Sequence, residues 1–165
     1  IIRIFANFSG AHFNPIVSII FFLQKELSSR DLFLYILIQI FAAVLGTLFA
    51  NYIFGLNVIE ISSNIRSGAN IYISEFFAAT GLLLVILLSR ADGKNVVSFN
   101  VGIYITAALI FTSSTSFANP AVTIARMFTE SFTGINPSTV IFFISCQVIG
   151  MFAAYILYNQ FFKSK

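Results

Sequence analysis

Two stretches of nearly the same wording constrain this chain more than anything else in it: Phe13-Asn14-Pro15-Ile16-Val17-Ser18-Ile19 and Ala118-Asn119-Pro120-Ala121-Val122-Thr123-Ile124. Each reads as the start of a helix. Asn is a favoured N-cap because its side-chain oxygen can take an orphan N–H, and Pro at the first helical position has the right φ and no N–H to waste. The apolar run behind each start is short, which predicts half-helices over 15–25 and 120–128. At 1.5 Å per residue each is roughly 15 Å long, about half the hydrocarbon thickness of a bilayer.

The bilayer is the relevant ruler because the chain is 58% hydrophobic and 9% charged, with a mean hydropathy of +0.94. Those values belong to a polytopic membrane protein. Four further apolar runs are long enough to span, over 32–54, 71–89, 96–112 and 139–162. No Pro-, Gly- or Ser-rich linker divides residues 1–165, so a single all-α transmembrane domain is expected. The lone cysteine, Cys146, excludes an internal disulfide framework. The net charge of +3 is too scattered for a nucleic-acid footprint. One His, one Cys and six acids assemble no catalytic triad and no metal cluster, so neither an enzyme nor a cofactor is expected.

Basic residues orient the spans. If the first half-helix enters from the cytoplasm, Arg3, Lys25, Arg30, Arg90, Lys94, Lys163 and Lys165 fall inside, Arg66 falls outside, and Arg126 lies in the second half-helix. That obeys the positive-inside rule and puts the C-terminus in the cytoplasm of a cell membrane. The second half-helix then enters from the opposite face, and the two Asn-Pro starts meet near the midplane. The longer helices that follow also echo, with Gln39-Ile40-Phe41-Ala42-Ala43 matching Gln147-Val148-Ile149-Gly150-Met151 in placement. An inverted repeat with broken helices at mid-depth is a transport architecture.

Ser9-Gly10-Ala11-His12-Phe13-Asn14-Pro15, the second Asn119-Pro120-Ala121, and the order half-helix, span, span, span, half-helix, span resemble the aquaporin (major intrinsic protein) family. That family has six spans where four are present here, and the resemblance places its first two ahead of Ile1, with Ile1 to Phe8 as the end of the second. It implies a facilitative channel for water or small uncharged solutes, assembled as a homotetramer in the lipid bilayer. The central constriction would comprise Asn14, Pro15, Ile16, Asn119, Pro120 and Ala121. Gly10, Ala11 and His12 would line one half and Ser113 to Phe117 the other. An ion-coupled secondary transporter and a non-conducting structural membrane protein stand as alternatives.

The sequence departs from the family where substrate is chosen. The Arg that usually follows the second Asn-Pro-Ala is replaced by Val122, and spacing puts the other filter positions on Ala107 and Ser116. Small or apolar groups at these points predict a wider, less polar constriction, and the resemblance to bacterial members with Val at this point implies glycerol-like or uncharged metalloid solutes. Arg126, four residues on, returns to nearly the same helix face and could restore a cation to the filter. Equally, it could bond the free carbonyls at the half-helix end or pair with Glu130. Ile16 in place of Ala either repacks the contact between half-helices or narrows the centre. Glu75, the one acid inside a span, is a proton relay or, as the resemblance implies, a structural acid holding the loop before the second half-helix.

Overall fold

The computed structural model describes residues 1–162, which leaves Lys163 and Lys165, counted above among the cytoplasmic charges, outside the described residues. The order is α1 (Ile2–Ser9), α2 (Pro15–Leu23), α3 (Ser29–Ile53), α4 (Ala69–Ser89), α5 (Lys94–Phe111), α6 (Pro120–Ala125) and α7 (Pro137–Leu157), with no strand among the described residues. A 3-10 turn over Arg90–Asp92 extends α4, another over Arg126–Phe128 extends α6, and a π turn over Tyr158–Phe162 ends the description. Four of these segments are long and apolar enough to cross a membrane: Ser29–Ile53, Ala69–Asp92, Lys94–Phe111 and Pro137–Phe162.

Caps decide where these helices begin, so the spans start earlier than their apolar runs do. Ser28 Oγ accepts from Asp31 N at 3.1 Å and donates to the Asp31 carboxylate at 2.7 Å, which starts α3 in the charged connector ahead of Leu32. Asn136 Oδ1 accepts from Ser138 N at 3.0 Å with Pro137 at the first position, so α7 begins ahead of Thr139. Gly68 and Gly93, at φ 124° and 97°, make the breaks before α4 and α5. At the other ends the half-helices are shorter than expected. After Leu23 the chain turns left-handed at Lys25 (φ 64°), and α6 tightens to 3-10 geometry after Ala125.

The helices α4 and α7 form the central pair. A Cβ added at Gly150 would lie 2.6 Å from Phe76 O and 3.0 Å from Thr80 Oγ1, so only glycine admits this approach. The single hydroxyl hydrogen of Thr80 is shared between Phe76 O at 2.8 Å and Gly150 O at 3.2 Å, tying the two backbones together. Beside the pair, Ile16 and Ile20 of α2 pack with Leu83, Leu87 and Met151 in one buried cluster. The other small-residue stripe, Ala42-Gly46-Ala50 on α3, behaves differently: it is exposed, and nothing lies within 4 Å of a Cβ at Gly46.

Polar ties close both ends. At the basic end Arg90 bridges to Glu26 (2.6 Å) and Gln24 (3.3 Å), and Lys94 reaches Asn7 Oδ1 (2.9 Å). At the opposite end the loop over 57–68 is stitched to the segment over 127–136. There Asn64 Nδ2 donates to Ser131 O at 2.8 Å, Arg66 Nε to Gly134 O at 2.8 Å, and Arg66 Nη2 to Phe132 O at 2.7 Å. Asn51 of α3 donates to Phe128 O at 2.8 Å. The Glu130 carboxylate accepts from both Ser63 N (2.6 Å) and Ser63 Oγ.

Two outcomes follow from this packing. Gly150→Ala is expected to lower stability by about 1–3 kcal/mol through overpacking against Phe76 O, read as a fall in the unfolding temperature of the purified protein. Hydrogen bonds from Ser63 favour ionised Glu130 and hold its pKa below the usual 4.5. The tie is therefore complete at neutral pH and is lost only as pH falls through that lowered value. Glu130→Gln should lower the melting temperature at pH 7, and the difference from the parent should vanish in strong acid.

Candidate functional site

Each asparagine that caps a half-helix also reaches across to the other repeat. Asn14 Nδ2 donates to Ala118 O at 2.8 Å, and Asn119 Nδ2 donates to Phe13 O at 2.9 Å. Their Oδ1 atoms accept from the half-helices they cap, Ile16 N at 3.1 Å for Asn14, Ala121 N at 3.0 Å and Val122 N at 3.4 Å for Asn119. Each carboxamide thus spends its acceptor locally and one of its two N–H donors on the crossed bond, leaving one donor for a visitor.

The backbone before the two asparagines is bent in the same way. Gly10, Ala11 and Phe13 have φ of 70°, 51° and 49°, and Thr115, Ser116 and Ala118 have φ of 61°, 45° and 45°. The left-handed residues stand four, three and one before each asparagine. Non-glycine residues in this region cost about 1–2 kcal/mol each, so the loops must be held from outside. Glu75, with no exposed surface, holds the second. Its Oε2 accepts from Phe117 N at 3.2 Å and its Oε1 accepts from Ala118 N. Gln147 Nε2 bridges Glu75 Oε1 (2.7 Å) and Thr123 Oγ1 (2.8 Å), locking acid, loop and α6 together. In the first repeat Gln39 Nε2 donates to Ser18 Oγ at 3.0 Å, and Tyr35 Oη donates to Ser9 O at 2.7 Å.

A cavity of roughly 610 Å³ runs from the basic end to the two asparagines. Gly10, Ala11 and His12 line it together with Val17, Phe21 and Val101. The His12 ring stacks on Phe21 (4.3 Å between centroids) and on Tyr35 (5.3 Å), and Nδ1 lies 3.1 Å from Ser18 Oγ. Arg90 covers the other neighbour of this stack, its guanidinium 4.7 Å from the Phe21 ring centre. The walls are mostly apolar, with Glu26, Arg90 and Lys94 at the basic end and the two asparagines at the other, an arrangement that can pass a small neutral molecule and hydrogen-bond it at the asparagines.

The residues singled out in the sequence do not all come together. Asn14, Asn119 and His12 line the cavity, whereas Pro15, Ile16, Pro120 and Ala121 are buried behind it. The first turns of α2 and α6 place these positions on the packed side; Ile16 has no exposed surface and belongs to the α4–α7 cluster. Ser116 is buried with its amide on Ser114 Oγ at 3.2 Å, and Val122 is half-buried. Ala107 is exposed on another face of α5, in a shallow groove with Gly102, Ile103 and Thr106, away from the cavity wall that Val97, Val101 and Ile105 supply. Arg126 makes no pair with Glu130, whose carboxylate is taken by Ser63; its guanidinium lies instead 4.1 Å from the centre of the Phe117 ring. Arg66 went unremarked as a site residue in the sequence, and Phe117 was named only as the end of the loop that the resemblance implies for the outer half. The hydroxyls four beyond each asparagine, Ser18 and Thr123, are a signal the repeat carries in plain view.

A family model described as major intrinsic protein matches residues 1–117. Aquaglyceroporin AqpS of Rhizobium meliloti (strain 1021) is 41% identical over 157 residues, covering 95% of this chain and 67% of the relative. The family match ends two residues before Asn119, while the similarity to the relative extends over nearly the whole chain.

Glu75→Gln removes one of the two oxygens that hold Phe117 N and Ala118 N and sets an NH2 group against an amide. Stability should fall by about 1–3 kcal/mol, the cost of an unsatisfied buried donor. Solute uptake should fall with it and stay indifferent to a pH gradient. Proton-driven uptake in the parent that disappears in Glu75→Gln would make Glu75 a relay.

Proposed function

We propose, from the premise that this chain belongs to the major intrinsic protein family, that it admits glycerol-sized uncharged solutes, including uncharged metalloid hydroxides, as well as water, and turns back protons at Asn14 and Asn119. As a member of that family it is a multi-pass membrane channel for water or small uncharged solutes and not an enzyme.

The observation that carries the proposal is the crossed pair of asparagine bonds at the head of the cavity. A water or alcohol oxygen arriving there meets two N–H donors whose own acceptors are already occupied. It can accept from both, and its hydrogens must then point away along the path in both directions. A proton hopping through a chain of waters needs each water to donate and accept in one sense, and a water held this way interrupts that sense. Protein backbone would supply acceptors along the rest of the path, from the left-handed loops on either side.

Passage of molecules larger than water is supported by Val122, where an arginine would narrow the constriction, by the small side chain at Ser116, and by likeness to a relative named an aquaglyceroporin. In the same reading Ala107 widens the filter only if the α5 groove faces the path in the assembled channel. The basic end, with Lys25, Arg90 and Lys94, would face the cytoplasm of a cell membrane, and the C-terminus with it. The exposed Ala42-Gly46-Ala50 stripe of α3 would let a second copy approach closely, which suits a homotetramer.

Light-scattering measurements on proteoliposomes test the substrate. Glycerol and water should both equilibrate faster than across protein-free vesicles. Val122→Arg should cut glycerol flux roughly tenfold, the effect of about 1.4 kcal/mol on the barrier, while water flux falls less. A parent that passes water and excludes glycerol would overturn the wide-filter reading.

A further inference from the structure

Arg126 is the one cation of the second half-helix, and its surroundings are unusual. The side chain of a helical residue leans toward the N-terminus of its helix, so a long side chain at the end of α6 covers the preceding turn, not its own level. That lean brings the Arg126 guanidinium to 4.1 Å from the centre of Phe117, a ring that stands two residues before Asn119. The charge therefore lies nearer to the Asn pair than position 126 suggests. Its fork donates no hydrogen bond to any described residue, although the residue is half-buried in the re-entrant half of a membrane protein. Glu130 is spent on Ser63, and the only ion pair among the described residues is Arg90 with Glu26 at the far end.

A second guanidinium shares the ring. Arg66 lies 5.1 Å from the centre of Phe117, and each of its three nitrogens donates, Nε to Gly134 O, Nη2 to Phe132 O and Nη1, at 3.5 Å, to Thr115 Oγ1. It is anchored where Arg126 is not. Two like charges on one aromatic ring repel, so the free one is confined to the side the anchored one leaves open.

We propose that Arg126, reaching back over Phe117, is the charge-selecting residue of the outer constriction in place of the arginine absent at 122, and that Arg66 positions it there through the shared ring. The inference rests on the channel reading above. A free guanidinium beside the path rejects cations by its charge, a second barrier to protons in series with the reoriented water at the asparagines, while Val122 keeps the width that a neutral polyol needs. Width and charge are thus assigned to two residues one helical turn apart.

The test uses the complete protein in liposomes, with glycerol uptake and proton leak under an imposed pH gradient read from the same preparation. Arg126→Met keeps the aliphatic stem over Phe117 and removes the charge. Glycerol uptake should persist and proton leak should rise on the order of tenfold. Val122→Arg combined with Arg126→Met returns a cation to the constriction and should restore the low leak with slower glycerol uptake. Arg66→Ala should leak as well, and Arg66→Ala with Arg126→Met should leak no more than Arg126→Met alone. Proton leak at the parent level in Arg126→Met, with glycerol uptake retained, overturns the assignment. Strictly additive leaks overturn the positioning role of Arg66. A parent that takes up no glycerol overturns the channel reading itself, whatever the variants do.

Discussion

The structure depends on one reciprocal exchange, in which each half-helix cap donates to the carbonyl that precedes the other cap. Neither half-helix is long enough to be stable alone; isolated helices of this length are marginal even in favourable sequences. In a bilayer their blunt ends would also leave amides without partners at a depth where no lipid can supply them. The Asn14–Ala118 and Asn119–Phe13 bonds answer both problems, because each asparagine satisfies its own helix through Oδ1 and the opposite loop through Nδ2. The same geometry leaves a single N–H per asparagine unspent. What stabilises the centre also defines what it can hold.

The support around that exchange is built twice, at matching offsets. Left-handed residues stand at the same three places before each asparagine, a hydroxyl stands four residues after it, and a glutamine from a later span donates to that hydroxyl, Gln39 to Ser18 and Gln147 to Thr123. Glu75 is the acceptor that lets Phe117 and Ala118 keep their strained conformation without orphaned amides. A buried acid in this setting is a bracket: both of its oxygens accept, from the backbone amides of Phe117 and Ala118 and from Gln147.

Much of this was legible in the amino-acid sequence because membranes simplify the reading. Apolar runs of fixed length report spans, and Asn-Pro reports a helix start whose physics is local. The boundaries were less legible. Ser28, Gly68, Gly93 and Asn136 set them from within polar flanks that hydropathy discounts. Which side of a half-helix meets the cavity was not legible at all. Ile16 read either as packing or as narrowing the centre, and the α4–α7 pair draws it into packing; Ala121 read as central from its adjacency to Asn119, yet it is buried. Helical phase is fixed by neighbours far away in sequence, and a motif of three residues carries no information about it.

The same limit explains Arg126 and Arg66. A sequence position names a Cα, whereas selectivity is exerted by the tip of a side chain, and for arginine the two are separated by most of a helical turn. Residue 122 has the right Cα and no charge; residue 126 has the charge and, by leaning back along α6, brings it over Phe117. Arg66 arrives from a loop 51 residues before Phe117 and can be placed only once the outer loop is stitched to the segment over 127–136. A pore can therefore keep a charged entrance after losing its usual arginine, provided that some other side chain is long enough to reach the ring and something anchored keeps it there.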